Sequence, residues 1–293
     1  MKLPGSLKIA PVDAFEGDFV RGLYQYVVNT AYAAGIAVEV VPEFGRIANC
    51  ATIIEVDGQR VGLDMSDYTV PTIAHRDVDL LLRTQHGHWF EAFLNIGSFP
   101  QRSFDDWEQY GRLSASLAYR ASGTQISYRV GNGQPGCPLG KRRKWARRQL
   151  VDAFSSRVLT DYVPQEQFWT DAAESFVAVN VGGSYGNIMD RAFMQLMGLG
   201  VAVICPEVFV TCCEVRPVPW YHYVPIRDDM GDLVEKVQWA DAHRDELVVI
   251  GQRAQAFFRR HCLPRRIWAY VRTRLDNPQT PRLVGCEVGS YPE

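Results

Sequence analysis

Phe176-Val-Ala-Val-Asn-Val-Gly-Gly-Ser-Tyr-Gly-Asn-Ile-Met-Asp-Arg191 is the stretch on which the fold turns. The apolar run from Phe176 to Val181 reads as a buried strand, and Gly182 to Gly186 as a flexible turn. Helical spacing from Ile188 to Leu199 then places Arg191 in the first turn of a helix entered through glycines. Such a junction brings together backbone N–H groups, the positive end of a helix dipole and a guanidinium. That combination suits a diphosphate.

Outward from this stretch the chain alternates. A helix over 141–154, a strand over 157–163, a helix over 165–174 and, beyond 176–199, a strand over 201–205 predict a mostly parallel sheet covered by helices. Towards the amino terminus, a strand at 6–12, a helix at Asp18 to Ala34 and a strand at 36–41 give a β-α-β opening. Residues 51–56 and 60–64 flank Asp57-Gly58, a favoured two-residue hairpin turn. Further strands are expected at 78–83 and 91–96, a helix at 103–119, and a break at Ala121-Ser-Gly-Thr124 before a strand at 125–130. The expected organisation is α/β, with an N-terminal acceptor-binding domain over 1–122, a C-terminal nucleotide-sugar-binding domain over 123–280 and a tail over 281–293. Packing of the terminal helices back on the N-terminal domain stays open.

Composition narrows the function classes. With 293 residues and 47% hydrophobic content the chain can bury one large or two modest cores. A formal net charge of −2 excludes a globally polycationic nucleic-acid binder and leaves room for a local basic patch. Cysteines stand at 50, 137, 205, 212, 213, 262 and 286 without Cys-x-x-Cys spacing. That usage, and the lack of an apolar stretch typical of a leader after Met1, lead us to expect a soluble protein of a reducing cytoplasm. Leu196 to Val210 is interrupted by Pro206 and Glu207 and is too short to span a bilayer.

Pro219-Trp-Tyr-His-Tyr-Val-Pro225 is followed by Asp228, Asp229 and Asp232 at an expected helix start, where carboxylates complement the dipole. The order of strand, glycine turn, Arg-bearing helix, Gly200-Val-Ala-Val-Ile-Cys205 and this Pro-Trp motif resembles the capsule-associated and protein O-glucosyltransferase family over roughly residues 125 to 275. The resemblance implies a GT-B-like fold, two Rossmann-like β/α/β domains facing across a cleft. It also implies a nucleotide-diphosphate sugar donor, a uridine one, with no further cofactor and no metal. The acceptor would be a hydroxyl on a glycan, on a protein or, with the basic cluster at 141–148, on a hydroxymethylated DNA base.

On this reading Gly182, Gly183, Ser184 and Gly186 give N–H groups to the donor phosphates, and Arg191 offsets charge on the leaving nucleotide. Glu207 or Glu214 would accept hydrogen bonds from the ribose diol, with Arg147 or Arg148 assisting the diphosphate. Asp64 and Asp67 are the candidate bases, and His86 and His88 a conceivable metal pair without a third ligand. Each has a bland counterpart: Arg191 paired with Asp190, a solvated Glu207, a capping Asp64. His222, flanked by aromatics, reads as core. Lys141-Arg-Arg-Lys-Trp-Ala-Arg-Arg148 also supports an alternative, a non-catalytic α/β nucleic-acid-binding protein that neutralises phosphates and stacks a base on Trp145.

Overall fold

A computed structural model of the protein describes residues 2–15, 17–42, 44, 46–48, 50–65, 71–84, 96–100, 103–104, 106–115, 123–128, 138–161, 163–182, 187–209, 211–213 and 215–277. They sort into two compact units. The first comprises Met1–Asp105, Val210–Arg216 and Arg260–Glu287, and the second Asp106–Phe209, Pro217–Arg259 and Val288–Glu293. Among the described residues no helix is long and apolar enough to cross a membrane.

In the first unit the strands are β1 (Ser6–Ile9), β2 (Ala37–Val40), β3 (Arg46–Ala48), β4 (Ala51–Val56), β5 (Gln59–Asp64), β6 (Leu80–Arg83) and β7 (Ile96–Ser98), with helix α1 (Asp18–Ala34) between β1 and β2. The apolar stripe of α1, Leu23, Tyr24, Val27 and Ala31, is buried, as its 3.6-residue period requires. Asp57 and Gly58 have φ of 49° and 81°, the two positive values of a primed hairpin turn, so β4 and β5 pair antiparallel. The sheet order is β2-β1-β4-β5-β6-β7, with β3 beside β4. This sheet is mixed, parallel across the β-α-β opening and antiparallel at the hairpin. The two-residue turn forces β4 to run against β5, and β4 inserts antiparallel beside β1, while β5, β6 and β7 are parallel.

Asp57 does more than turn the chain. Its Oδ1 accepts the N–H groups of Gly5 and Ser6 at 2.8 and 2.9 Å, and its Oδ2 pairs with Arg272 at 3.0 Å. Arg272 belongs to the last helix among the described residues, Pro264–Asp276, which is part of this unit. Trp268 of the same helix is fully buried and donates its Nε1–H to Thr30 Oγ1 of α1 at 3.2 Å.

The second unit begins with α2 (Trp107–Ala115) and continues β8 (Ile126–Ser127), α3 (Pro138–Phe154), β9 (Val158–Leu159), α4 (Gln165–Glu174), β10 (Val177–Val179), α5 (Arg191–Gly198), β11 (Val203–Pro206), β12 (Val224–Ile226), α6 (Leu233–Ala242) and α7 (Arg244–His261); the Pro264–Asp276 helix is α8. All five strands are parallel, in the order β12-β11-β10-β8-β9. This is the doubly wound arrangement expected from the alternation, with the strands trimmed at their ends and α6 starting after a turn at 227–232. Ile126, Val177, Val179, Ile204 and Val224 meet Leu150, Val237 and Ile250 in its core. Arg157 and Arg244 both lie over the Phe176 ring, and both bond Asp241, which their hydrogen bonds hold down to about pKa 2.

His261 ends α7 and yields a pH prediction. Burial, reinforced by Arg260 and Arg266, holds its pKa down to about 4 from the usual 6.5. The unfolded chain therefore binds a proton that the folded chain refuses between these values, so stability is full above pH 6.5 and falls as pH drops towards 4. The thermal midpoint of the protein should decline between pH 7 and pH 5, and His261→Gln should flatten that decline. An unchanged profile in a folded His261→Gln protein would assign the acid sensitivity elsewhere.

Candidate functional site

Doubly wound sheets gather ligands outside the carboxyl ends of their strands, where the crossovers reverse direction. In the five-stranded sheet that reversal lies between β8 and β10, and the chain leaves β10 through Asn180-Val181-Gly182. Arg143 of α3 reaches this exit, its Nε and Nη2 donating to the carbonyls of Val181 and Gly182, each at 3.3 Å. Beside it Arg142 Nη2 donates to the Asp228 carbonyl at 3.0 Å, and Asn187 Nδ2 to Asp228 Oδ1 at 3.1 Å. Arg147 Nη2 donates to Thr160 Oγ1 at 3.1 Å, just past β9. Three arginines of one helix thus touch residues that follow β9, β10 and β12. Bonds to carbonyl and hydroxyl oxygens fix the orientation of these guanidinium groups at this edge of the sheet.

The helix entry is arranged differently from the sequence reading. Asp190 is the N-cap of α5, its Oδ1 accepting Phe193 N–H at 2.9 Å and Asn180 Nδ2–H at 3.0 Å. The carboxylate thereby caps the helix end, a favourable use of a short acidic side chain. Arg191 is the first residue of α5 and partly buried, and Gly182 is buried. A Cβ on Gly182 would come within 3.5 Å of Asn187 N, an ordinary contact, so the packing itself tolerates alanine there. Gly183, Ser184 and Gly186 lie outside the described residues.

Glu207 is exposed directly after β11, at the same edge of the sheet. Glu214 lies outside the described residues. Arg148 pairs with Asp152 at 3.6 Å on an exposed face of α3, apart from the contacts made by Arg142, Arg143 and Arg147. The sequence reading of the diphosphate partners chose Arg147 and Arg148 over Arg143. A helical wheel anchored on buried Ala146 and Leu150 supplies the missing signal, because 143 shares their face and 148 does not.

The Pro219–Tyr223 turn is a brace. Trp220, at φ 63°, donates its N–H to the Tyr223 carbonyl at 2.7 Å. Tyr223 is fully buried, packs edge-on against Phe193 of α5, and its hydroxyl accepts Val208 N–H at 3.0 Å. His222, also fully buried, accepts Val218 N–H at Nδ1 (2.8 Å), which places the proton of the neutral ring on Nε2, and it lies edge-on to Phe257 of α7. The motif therefore joins α5, the exit of β11 and α7. Trp220 is its exposed member, packed against Trp239 and Lys236.

In the first unit, Asp64 is fully buried and cross-strand from Arg83, with Oδ2 3.6 Å from Arg83 Nε and accepting Thr72 N–H at 2.8 Å. Burial lowers the pKa of Arg83, and Asp64 opposes that shift. A carboxylate so enclosed anchors Thr72 and an arginine, which gives Asp64 a structural role. Asp67, His86 and His88 lie outside the described residues, among which no group of three or more His, Cys, Asp or Glu side chains could hold a metal ion.

Comparison with known proteins bears on the last part of this site. Residues 206–277 match the family described as Glycosyl transferase family 90. Protein O-glucosyltransferase 2 of Danio rerio is 42% identical over 52 residues, 18% of this chain and 10% of that protein. Protein O-glucosyltransferase 3 of Homo sapiens is 40% identical over 52 residues, with the same shares. Uncharacterized protein 035R of Invertebrate iridescent virus 3 is 37% identical over 43 residues, 15% of this chain and 4% of that protein. The alignments thus span about a tenth or less of these relatives. The family match begins at Pro206 and runs through the brace, β12, α6, α7 and α8; Gly182, Arg191 and the α3 arginines precede it.

Proposed function

We propose, from the match of residues 206–277 to Glycosyl transferase family 90 and the likeness of 52 residues to a protein O-glucosyltransferase, that the protein is a glycosyltransferase of the GT-B type that uses a nucleoside-diphosphate sugar, a uridine one, and passes the sugar to an acceptor hydroxyl. The observation that carries this reading is the Arg143 fork at the exit of β10, flanked by Arg142 and Arg147 at the switch point of the parallel sheet. Charge accumulates on the β-phosphate as the sugar departs, and fixed guanidinium groups answer it without reorganising. Arg191, at the start of α5, is a further cation for this site. Glu207 is the carboxylate available to a ribose diol at this edge.

Calorimetric titration with UDP tests the site. Arg143→Ala is expected to weaken binding by about 10-fold or more, the value of a charge-assisted hydrogen bond, and Arg191→Ala by a similar factor. Arg148→Ala should change little, because its partner is Asp152. Equal affinities in the folded Arg143→Ala and Arg148→Ala proteins would remove the diphosphate from this edge. Because guanidinium groups supply the stabilisation on this reading, turnover of a UDP-sugar should persist in EDTA. Activity lost on chelation and restored by a divalent ion would replace that assignment.

A further inference from the structure

We propose that Cys213 and Cys262 form a disulfide that ties together Val210–Arg216 and Arg260–Glu287, the two segments by which the chain rejoins its first unit. Their sulfurs are 3.6 Å apart, in contact and about 1.5 Å beyond the bonded separation. The pair is 49 residues apart in sequence, so its meeting is tertiary and not an accident of adjacency. Both side chains are held. Cys213 N–H donates to Thr211 Oγ1 at 3.0 Å, and Cys262 follows α7 directly, one residue before Leu263 caps α8. Cys262 is fully enclosed and Cys213 is 4% exposed. The loop so closed contains the Pro219–Tyr223 brace, β12, α6 and α7, the part of the chain with the clearest relatives.

Burial raises the pKa of the Cys262 thiol, so exchange in the packed state is disfavoured and the bond is made while the segments assemble. With glutathione disulfide as the oxidant, the Cys213 thiolate attacks one of its sulfurs and expels a glutathione thiolate, which takes up a proton. The Cys262 thiolate then attacks the Cys213 sulfur of the mixed disulfide and expels the second glutathione. The protein gives up two electrons and two protons, and one glutathione disulfide becomes two thiols. The cysteine spacing alone had pointed to a reducing compartment; the pairing is visible only in three dimensions.

The full chain, refolded in glutathione redox buffers of increasing oxidising strength, gives the test. Peptide mapping under non-reducing conditions should find Cys213 linked to Cys262, both resisting alkylation until reduced. Cys212→Ala should keep that link, and reduction of the oxidised protein should lower its thermal midpoint by about 5–10 °C. Cys213 and Cys262 both alkylated in the most oxidising buffer, or Cys262 joined to another cysteine, would overturn the proposal. The decisive measurement uses the unsubstituted chain, so no variant has to fold for it to fail.

Discussion

Asp64→Ala is expected to destabilise the protein by about 3–5 kcal/mol, the loss that follows when one member of a buried ion pair is left without the other. Asp64 and Arg83 are both fully enclosed, at neighbouring positions of parallel β5 and β6, and the carboxylate also receives Thr72 N–H. Alanine removes the charge that offsets the desolvation of Arg83 and releases the segment at Thr72. Replacing both charges, as in Asp64→Leu/Arg83→Met, should recover most of the loss, because the penalty belongs to the orphaned guanidinium and not to the missing pair. A general base would behave differently: its removal lowers kcat while the fold stands. Denaturation midpoints of the two variants, read beside turnover of a UDP-sugar, separate these outcomes. Full stability with abolished turnover in Asp64→Ala would restore the catalytic reading.

Particular elements show what the sequence could carry. The limits of α1 and α4 match their apolar period residue for residue, and Asp57-Gly58 forms the turn that dipeptide favours, because each depends only on neighbours in the chain. Sheet direction is not local. Nothing in Ala51–Val56 states that this strand will lie beside β1, so the hairpin was legible and its place in the sheet order was not. The carboxyl edge of the second sheet was half legible: glycine turn and Arg191 stand out, whereas Arg143 is one arginine in a basic run. What selects Arg143 is the face of α3 and the position of the β10 exit, both products of packing. Asp64 shows the same limit, since a turn-end aspartate looks alike whether it faces solvent or an arginine from a strand further along the chain.

Gly251→Ala should cost about 3 kcal/mol, a large loss for one methyl group. Alanine is the better helix former by about 1 kcal/mol, so propensity alone predicts a gain inside α7. Packing reverses the sign. A Cβ at Gly251 would stand 2.2 Å from the Gly200 carbonyl oxygen and 3.4 Å from Ala202 N, main-chain atoms that cannot swing aside. One turn further on, Gln255 Nε2 donates to the Gly198 carbonyl at 3.1 Å, so α7 is tied to the same connection that it presses against. That connection joins α5, with Arg191 at its start, to β11, with Glu207 at its end. Displacing it should therefore weaken UDP binding as well as stability. Gly111 supplies the control: it lies inside α2 with nothing within 4 Å of its would-be Cβ, and Gly111→Ala should stabilise the protein by about 0.5–1 kcal/mol. Denaturant midpoints that shift in opposite directions for the two variants would establish that close backbone approach decides the effect. A gain in both would mean that α7 does not rest on the Gly200 turn.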